Sequence, residues 1–134
     1  MIRKDYILRL VEEIARFIAK ILGLLKEEKY EEAEKWLQKG YELLHADKGR
    51  LLNLPPVKIA EELEKKHGLD FTRMELIADL FAAEGDILSA KGDPDDYDMY
   101  VKALALYEYI DLHHTVYSFE RTGKIGRMKE KIAR

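Results

Sequence analysis

Apolar residues recur at steps of three and four through Ile7, Leu10, Val11, Ile14, Phe17, Ile18, Ile21, Leu22 and Leu25, with Arg9, Glu12, Glu13, Arg16 and Lys20 between them. That period predicts one amphipathic helix over residues 2–26 with a broad core-facing stripe. Asp5 in its first turn and Lys26 in its last suit the two ends of the helix dipole. A second periodic segment, Tyr30 to Ala46, places Ala33, Leu37, Gly40, Tyr41 and Leu44 on one face. The short Glu27–Lys29 connection predicts an antiparallel hairpin.

The period then lapses. Asp47, Lys48 and Gly49 read as a turn, and Leu51 to Leu54 are too short an apolar run for a helix. Pro56 opens a helix through Ile59, Ala60 and Leu63 that stops at Gly68. Thr72 followed by Glu75 reads as a capping box for a helix through Phe81, Gly85 and Leu88. Asp93 and Pro94 start the next, which the pattern extends to Phe119 with Tyr100, Ala103, Leu104, Tyr107, Ile110, His114 and Tyr117 on one side. Its other side is apolar too, through Val101, Ala105, Tyr109, Leu112, Val116 and Phe119. A helix apolar on most of its circumference is either central or part of a subunit interface. Gly123 breaks it, and Lys124 to Ala133 fit a short terminal helix that Gly126 weakens, so residues 120–134 read as a basic tail with at most a short helix.

Composition narrows the class. The 134 residues include no cysteine, which excludes disulfides, thiolate metal sites and a thiol nucleophile, and which fits a reducing cytoplasm. Charges recur from Arg3 onward, leaving no signal-peptide apolar region and no run able to span a bilayer. A single all-α domain, 1–134, follows: a helical hairpin over 1–46, further helices over 55–119, and the tail. The net charge of −3 hides an uneven distribution. Residues 79–111 hold nine acids against two lysines, a net −7, whereas 120–134 hold six bases against two acids, a net +4.

A weak internal repeat is visible. Tyr30, Ala33, Leu37 and Gly40 have the same spacing as Tyr100, Ala103, Tyr107 and Ile110, seventy residues later, or about two tetratricopeptide periods. With Phe81, Gly85, Leu88 and Gly92 upstream, this resembles tetratricopeptide-repeat helices, in which small residues let paired helices approach closely. The opening Asp5 to Leu10, with Glu12-Glu13 and Ala19 to Leu22, also resembles a family of small bacterial helical proteins with a tetratricopeptide-like body and no assigned activity. The resemblance implies a right-handed array of about five to six helices arranged as antiparallel hairpins. The chain departs from the pattern at Pro94 to Met99, which lengthens the turn, and in lacking the repeat's Trp and Leu-Gly pair.

Candidate chemistry is sparse. Glu42-x2-His45, Glu64-x2-His67 and Asp111-x2-His114 each set a carboxylate one turn before an imidazole, the spacing used by bundles that bind two metal ions. Glu64, His67, Asp111 and His114 are therefore the candidate ligands of a metal-binding bundle or metal-dependent enzyme. His114 reads more readily as a hydrogen-bonded core or interface residue, with Tyr107 or Asp111 in reach. The cluster Asp93, Asp95, Asp96 and Asp98 fails as an EF-hand, because positions six and twelve hold Asp98 and Leu104. The basic tail offers a nucleic-acid accessory role, opposed by an acidic chain without aromatics among those bases. No phosphate loop or nucleophile elbow occurs. The leading expectation is thus a non-enzymatic module without cofactor, binding a protein or peptide between helix pairs and forming a homodimer. Its interface candidates are Tyr100, Tyr107, Tyr109, Leu112, His113, Val116 and Tyr117, since tyrosine combines area with one hydrogen bond, although the four tyrosines read equally as core.

Overall fold

The computed structural model describes residues 2–68 and 70–134, which form seven helices and no strand. They are α1 (Ile2–Lys26), α2 (Tyr30–Leu43), α3 (Lys48–Leu52), α4 (Pro56–His67), α5 (Phe71–Ala90), α6 (Asp96–His113) and α7 (Phe119–Ile132). The first hairpin closes through Glu28 at φ 58°, with the Lys29 amide donating to the Leu24 carbonyl at 2.9 Å. α1 buries Leu10, Ile14, Ile21 and Leu24, and α2 buries Ala33, Leu37, Gly40 and Tyr41. His45 ends α2 in the left-handed region at φ 54°, an uncommon place for a side chain.

α5 is the axis of the molecule. Half of its twenty residues are buried, and α1, α2 and α6 all pack on it. Close approach needs glycine at two points. A Cβ on Gly40 would stand 2.8 Å from a Leu80 methyl, and one on Gly85 would stand 2.6 Å from the Tyr100 ring. Both are closer than packed carbons tolerate. α6 packs within the chain on α5, α7 and α4, which cover most of its apolar circumference but leave Tyr97 and Leu112 exposed near its two ends.

Several boundaries differ from the sequence pattern: α2 ends at Leu43 rather than Ala46, α6 begins at Asp96 rather than at Pro94, and elsewhere a local hydrogen bond outweighs apolar periodicity. Residues 48–52 are a short helix, because the Asp47 side chain accepts the Arg50 amide. α5 is capped by Asp70, which accepts the Arg73 amide at 2.9 Å, leaving Glu75 free for longer-range pairing. α6 stops at His113 rather than continuing to Phe119, because His114 turns extended and Ser118 caps a new helix by accepting the Arg121 amide at 3.1 Å. Residues 120–134 are consequently no solvated tail. They form most of α7, which runs through Gly123 and Gly126, packs on α6 and reaches α5 through long side chains.

Candidate functional site

α1 and α7 flank α5 on the same side and leave a groove between them. Its larger part, about 500 Å³, has Ala15, Ile18, Ala19 and Leu22 on the α1 wall, Ala82 and Ala83 on the α5 floor, and Lys124 and Arg127 on the α7 wall. A second cavity of about 390 Å³ shares Ala15, Ile18, Asp79 and Lys124 with it, and extends the groove toward Val11 and Thr72. The two walls are chemically opposite.

The α1 wall arises from the sequence in a simple way. At 100° per residue, Leu10, Ile14, Phe17, Ile21 and Leu24 fall on one line, and Leu8, Val11, Ala15, Ile18 and Leu22 on an adjacent one. The first line faces the core. The second remains uncovered: Leu8 is 52% exposed, Val11 38% and Leu22 41%.

The α7 wall is a ladder of ions. Thr72, Glu75, Asp79, Ala82, Ala83 and Asp86 share one face of α5. Arg121 donates to Glu75 at 3.2 Å and to Asp111 at 2.5 Å. Lys124 donates to Glu75 at 2.7 Å and Asp79 at 3.2 Å, and Arg127 bonds both oxygens of Asp86 at 2.6 and 2.7 Å. From α6, the Tyr107 hydroxyl donates to Asp79 at 2.5 Å and the Tyr100 hydroxyl to Asp86 at 2.8 Å. Burial pushes the Asp79 carboxyl above the ordinary aspartate value, a shift that Lys124 and the Tyr107 hydroxyl restrain. Burial likewise raises both phenols, helped by their carboxylate partners, so both remain neutral donors. Burial alone lowers Lys124, but Asp79 and Glu75 outweigh it and the ammonium is held above its usual range. At the end of α7, Arg134 clasps the buried Asp96 carboxylate at 2.6 Å on each oxygen and holds it below the ordinary value.

Most residues singled out from sequence lie elsewhere. Tyr100 and Tyr107 are fully buried and belong to the core and ladder, although the Tyr107 ring edges the groove. Tyr109 is half-buried on α6, where its hydroxyl donates to Glu64 at 3.3 Å and its ring stacks on His113 at 4.0 Å. Leu112, Val116 and Tyr117 are exposed, with Phe119, around the turn between α6 and α7. The carboxylate and histidine pairs take other partners. Asp111 is paired with Arg121, Glu64 with Tyr109, and the His114 ring meets Phe71 edge-on at 4.7 Å. Among the described residues, no group of three or more His, Asp or Glu side chains is placed to hold a metal ion. His67 ends α4 half-buried, with its Nε2 lacking a hydrogen-bond partner among the described residues, and burial lowers its pKa. Four of the six bases in residues 120–134 are spent on the acids of α5 and α6. No helix among the described residues is long and apolar enough to cross a membrane.

The ladder had a signal in the sequence, namely acids at steps of four and seven on an otherwise apolar helix. The α1 seam had one too, the unbroken 3-4-3-4 spacing from Leu8 to Leu22. No family model matches the chain, and no curated protein or solved structure matches it.

Proposed function

We propose that the protein is a non-enzymatic helical interaction module whose α1–α5–α7 groove receives an amphipathic helix. The observation that carries this reading is the second apolar seam of α1, left uncovered by a fold that buries the adjacent seam completely at Ile14 and Ile21. Seam residues alternate at three and four, the spacing by which one helix packs along another. Alanines at 82 and 83 keep the floor low, and Ala15 and Ala19 thin the wall, so a helix can approach closely. The ions of the opposite wall are mutually neutralised, which favours an apolar occupant over a strongly charged ligand. α1–α2 and α5–α6 serve as tetratricopeptide-like hairpins in this reading, with the groove between hairpins as the binding surface.

Photocrosslinking in the native cytosolic or whole-cell extract tests the proposal. A photoreactive residue in place of exposed Ala19 on the groove rim should yield discrete cross-linked species, and the same residue in place of exposed Glu61 on α4 should not. Identical patterns from both positions, or none from Ala19, would remove the groove as the binding site.

A further inference from the structure

Resting on that reading of the groove, we infer that its occupant is α1 of a second copy, paired antiparallel across a two-fold axis that passes between Arg16 and Phe17. The seam extends by one more step to half-buried Leu25, giving Leu8, Val11, Ala15, Ile18, Leu22 and Leu25. In heptad terms these alternate between the two core positions, a and d. An antiparallel coiled coil must pair each a with a d of its partner. One axis satisfies every layer at once: Leu8 meets Leu25 of the second copy, Val11 meets Leu22, and Ala15 meets Ile18. The central layer sets a small residue against a large one. A parallel pairing would instead stack Ala15 on Ala15, leaving a void beside an Ile18 pair.

Charge along the exposed flank of the seam selects the same direction. Asp5, Glu12, Ala19 and Lys26 occupy the heptad position beside it, and all four are exposed. The row runs from acidic to basic. Antiparallel pairing brings Lys26 of one copy to within about 3 Å, along the helix axis, of the level of Asp5 on the other, given a rise of about 1.5 Å per residue. Parallel pairing sets these residues beside the g positions of the partner, Ile7, Ile14 and Ile21, where no opposite charge meets them. Asp5 and Glu12 near the start of α1 and Lys26 at its end also suit the helix dipole, so the same charges serve both the helix and the interface. α1 is already held helical by its core stripe, so association need not order it first.

The absence of cysteine makes the test clean, because every thiol is an introduced one. Leu8→Cys mixed with Leu25→Cys should form a disulfide dimer, whereas either variant alone should not, its two thiols lying about 25 Å apart along the axis at the same rise per residue. Sedimentation of the unmodified chain at micromolar concentration should give twice the monomer mass. Ala15→Glu, a change at an exposed position, should halve that mass while leaving helical circular dichroism unchanged. Disulfide formation by Leu8→Cys alone, a dimer insensitive to Ala15→Glu, or a monomer would overturn the antiparallel dimer. A monomer whose Ala19 position still cross-links a foreign chain would do so while leaving the groove reading intact. A monomer with no such cross-link would remove both.

Discussion

α1 packs on α5 and α7 packs on α6, and the two face each other across one groove floored by α5, yet they are held there by opposite forces. α1 is fastened by aliphatic side chains, four of them buried outright, and still has apolar surface to spare. α7 buries only Arg121 and Met128, and is fastened by cations that reach acids on α5 and α6. Apolar contact is non-directional and is not screened by salt, whereas ion pairs across partly exposed ground are both directional and screened. A helix can thus be docked with only a narrow apolar strip, here Ile125, Met128 and Ile132, provided its neighbours supply charges at matching spacing. The two walls should respond differently to every perturbation that separates these forces.

The largest difference should come from truncating the α1 core stripe. Ile14 has no exposed surface, and Ile14→Ala removes packing worth about 2–5 kcal/mol at such sites. Urea unfolding should show the loss in full as a lower midpoint with an unchanged slope. Ala15→Ser on the groove side should leave the midpoint nearly unmoved. A small effect at Ile14 would mean that α1 is not anchored as its burial implies.

Arg121→Ala attacks the other wall. Its guanidinium is almost fully buried and bonds Asp111, Glu75 and the Val116 carbonyl. Hydrogen bonds involving charged groups contribute about 1.5–3 kcal/mol, so the variant should lose an amount in that range. The loss should be local. Amide exchange should quicken through residues 119–132 and stay slow in α1 and α2, and a uniform increase across all helices would show that α7 is part of one cooperative core.

How much of this was legible in advance follows the same division. Helix existence was legible wherever apolar periodicity drives burial, as in α1, α2 and α4, whose ends fall within a few residues of the pattern. The break at His114–Ser118 was not, because apolar residues continue through it and only the Ser118 cap and an extended His114 reveal the turn. The all-helical class follows from composition and period, but the candidate interface did not. On a helical wheel Tyr100 and Tyr107 fit a surface anchor or a core position alike, and only the placement of Asp86 and Asp79 on α5 shows why their hydroxyls can be buried. The opposite net charges of residues 79–111 and 120–134 were readable in the sequence. Their pairing residue by residue needed the fold, because it joins Lys124 to Asp79, Arg127 to Asp86 and Arg134 to Asp96, positions 38 to 45 apart in the chain.

Acid should separate two rungs of the ladder from each other. Asp79 has a pKa raised chiefly by burial, so its proton is held more tightly in the folded than the unfolded chain. Its contribution is most favourable at low pH and declines as pH rises through the window from the ordinary aspartate value to the raised one. Asp96 is the reverse. Arg134 holds its pKa down, so its contribution is present above the ordinary aspartate value and is lost as pH falls through the lowered one. Carboxyl carbon shifts followed through an NMR titration should place the Asp79 midpoint above that of an unstructured aspartate and the Asp96 midpoint below it. Lys124→Met should move Asp79 further up, and Arg134→Ala should return Asp96 toward the ordinary range. Equal midpoints would mean that the two carboxyls share one environment.

The smallest effect tests whether α7 is limited by its own backbone rather than by its contacts. Gly123 and Gly126 lie inside the helix, and a Cβ at either would meet nothing within 4 Å, in contrast to Gly85, where it would strike the Tyr100 ring. Glycine in a helix interior costs about 0.5–1 kcal/mol relative to alanine, through backbone entropy. Gly123→Ala and Gly126→Ala should each recover about that much without altering any ion pair. They should slow amide exchange in α7 selectively and raise the salt concentration needed to loosen it. The same change at Gly85 should destabilise, because the propensity gain is outweighed by overpacking of about 1–3 kcal/mol. If all three substitutions stabilise, close approach between α5 and α6 is not what keeps glycine at position 85. If none does, the ladder of charges rather than helix propensity sets the stability of α7, and the contrast between the two walls is sharper still.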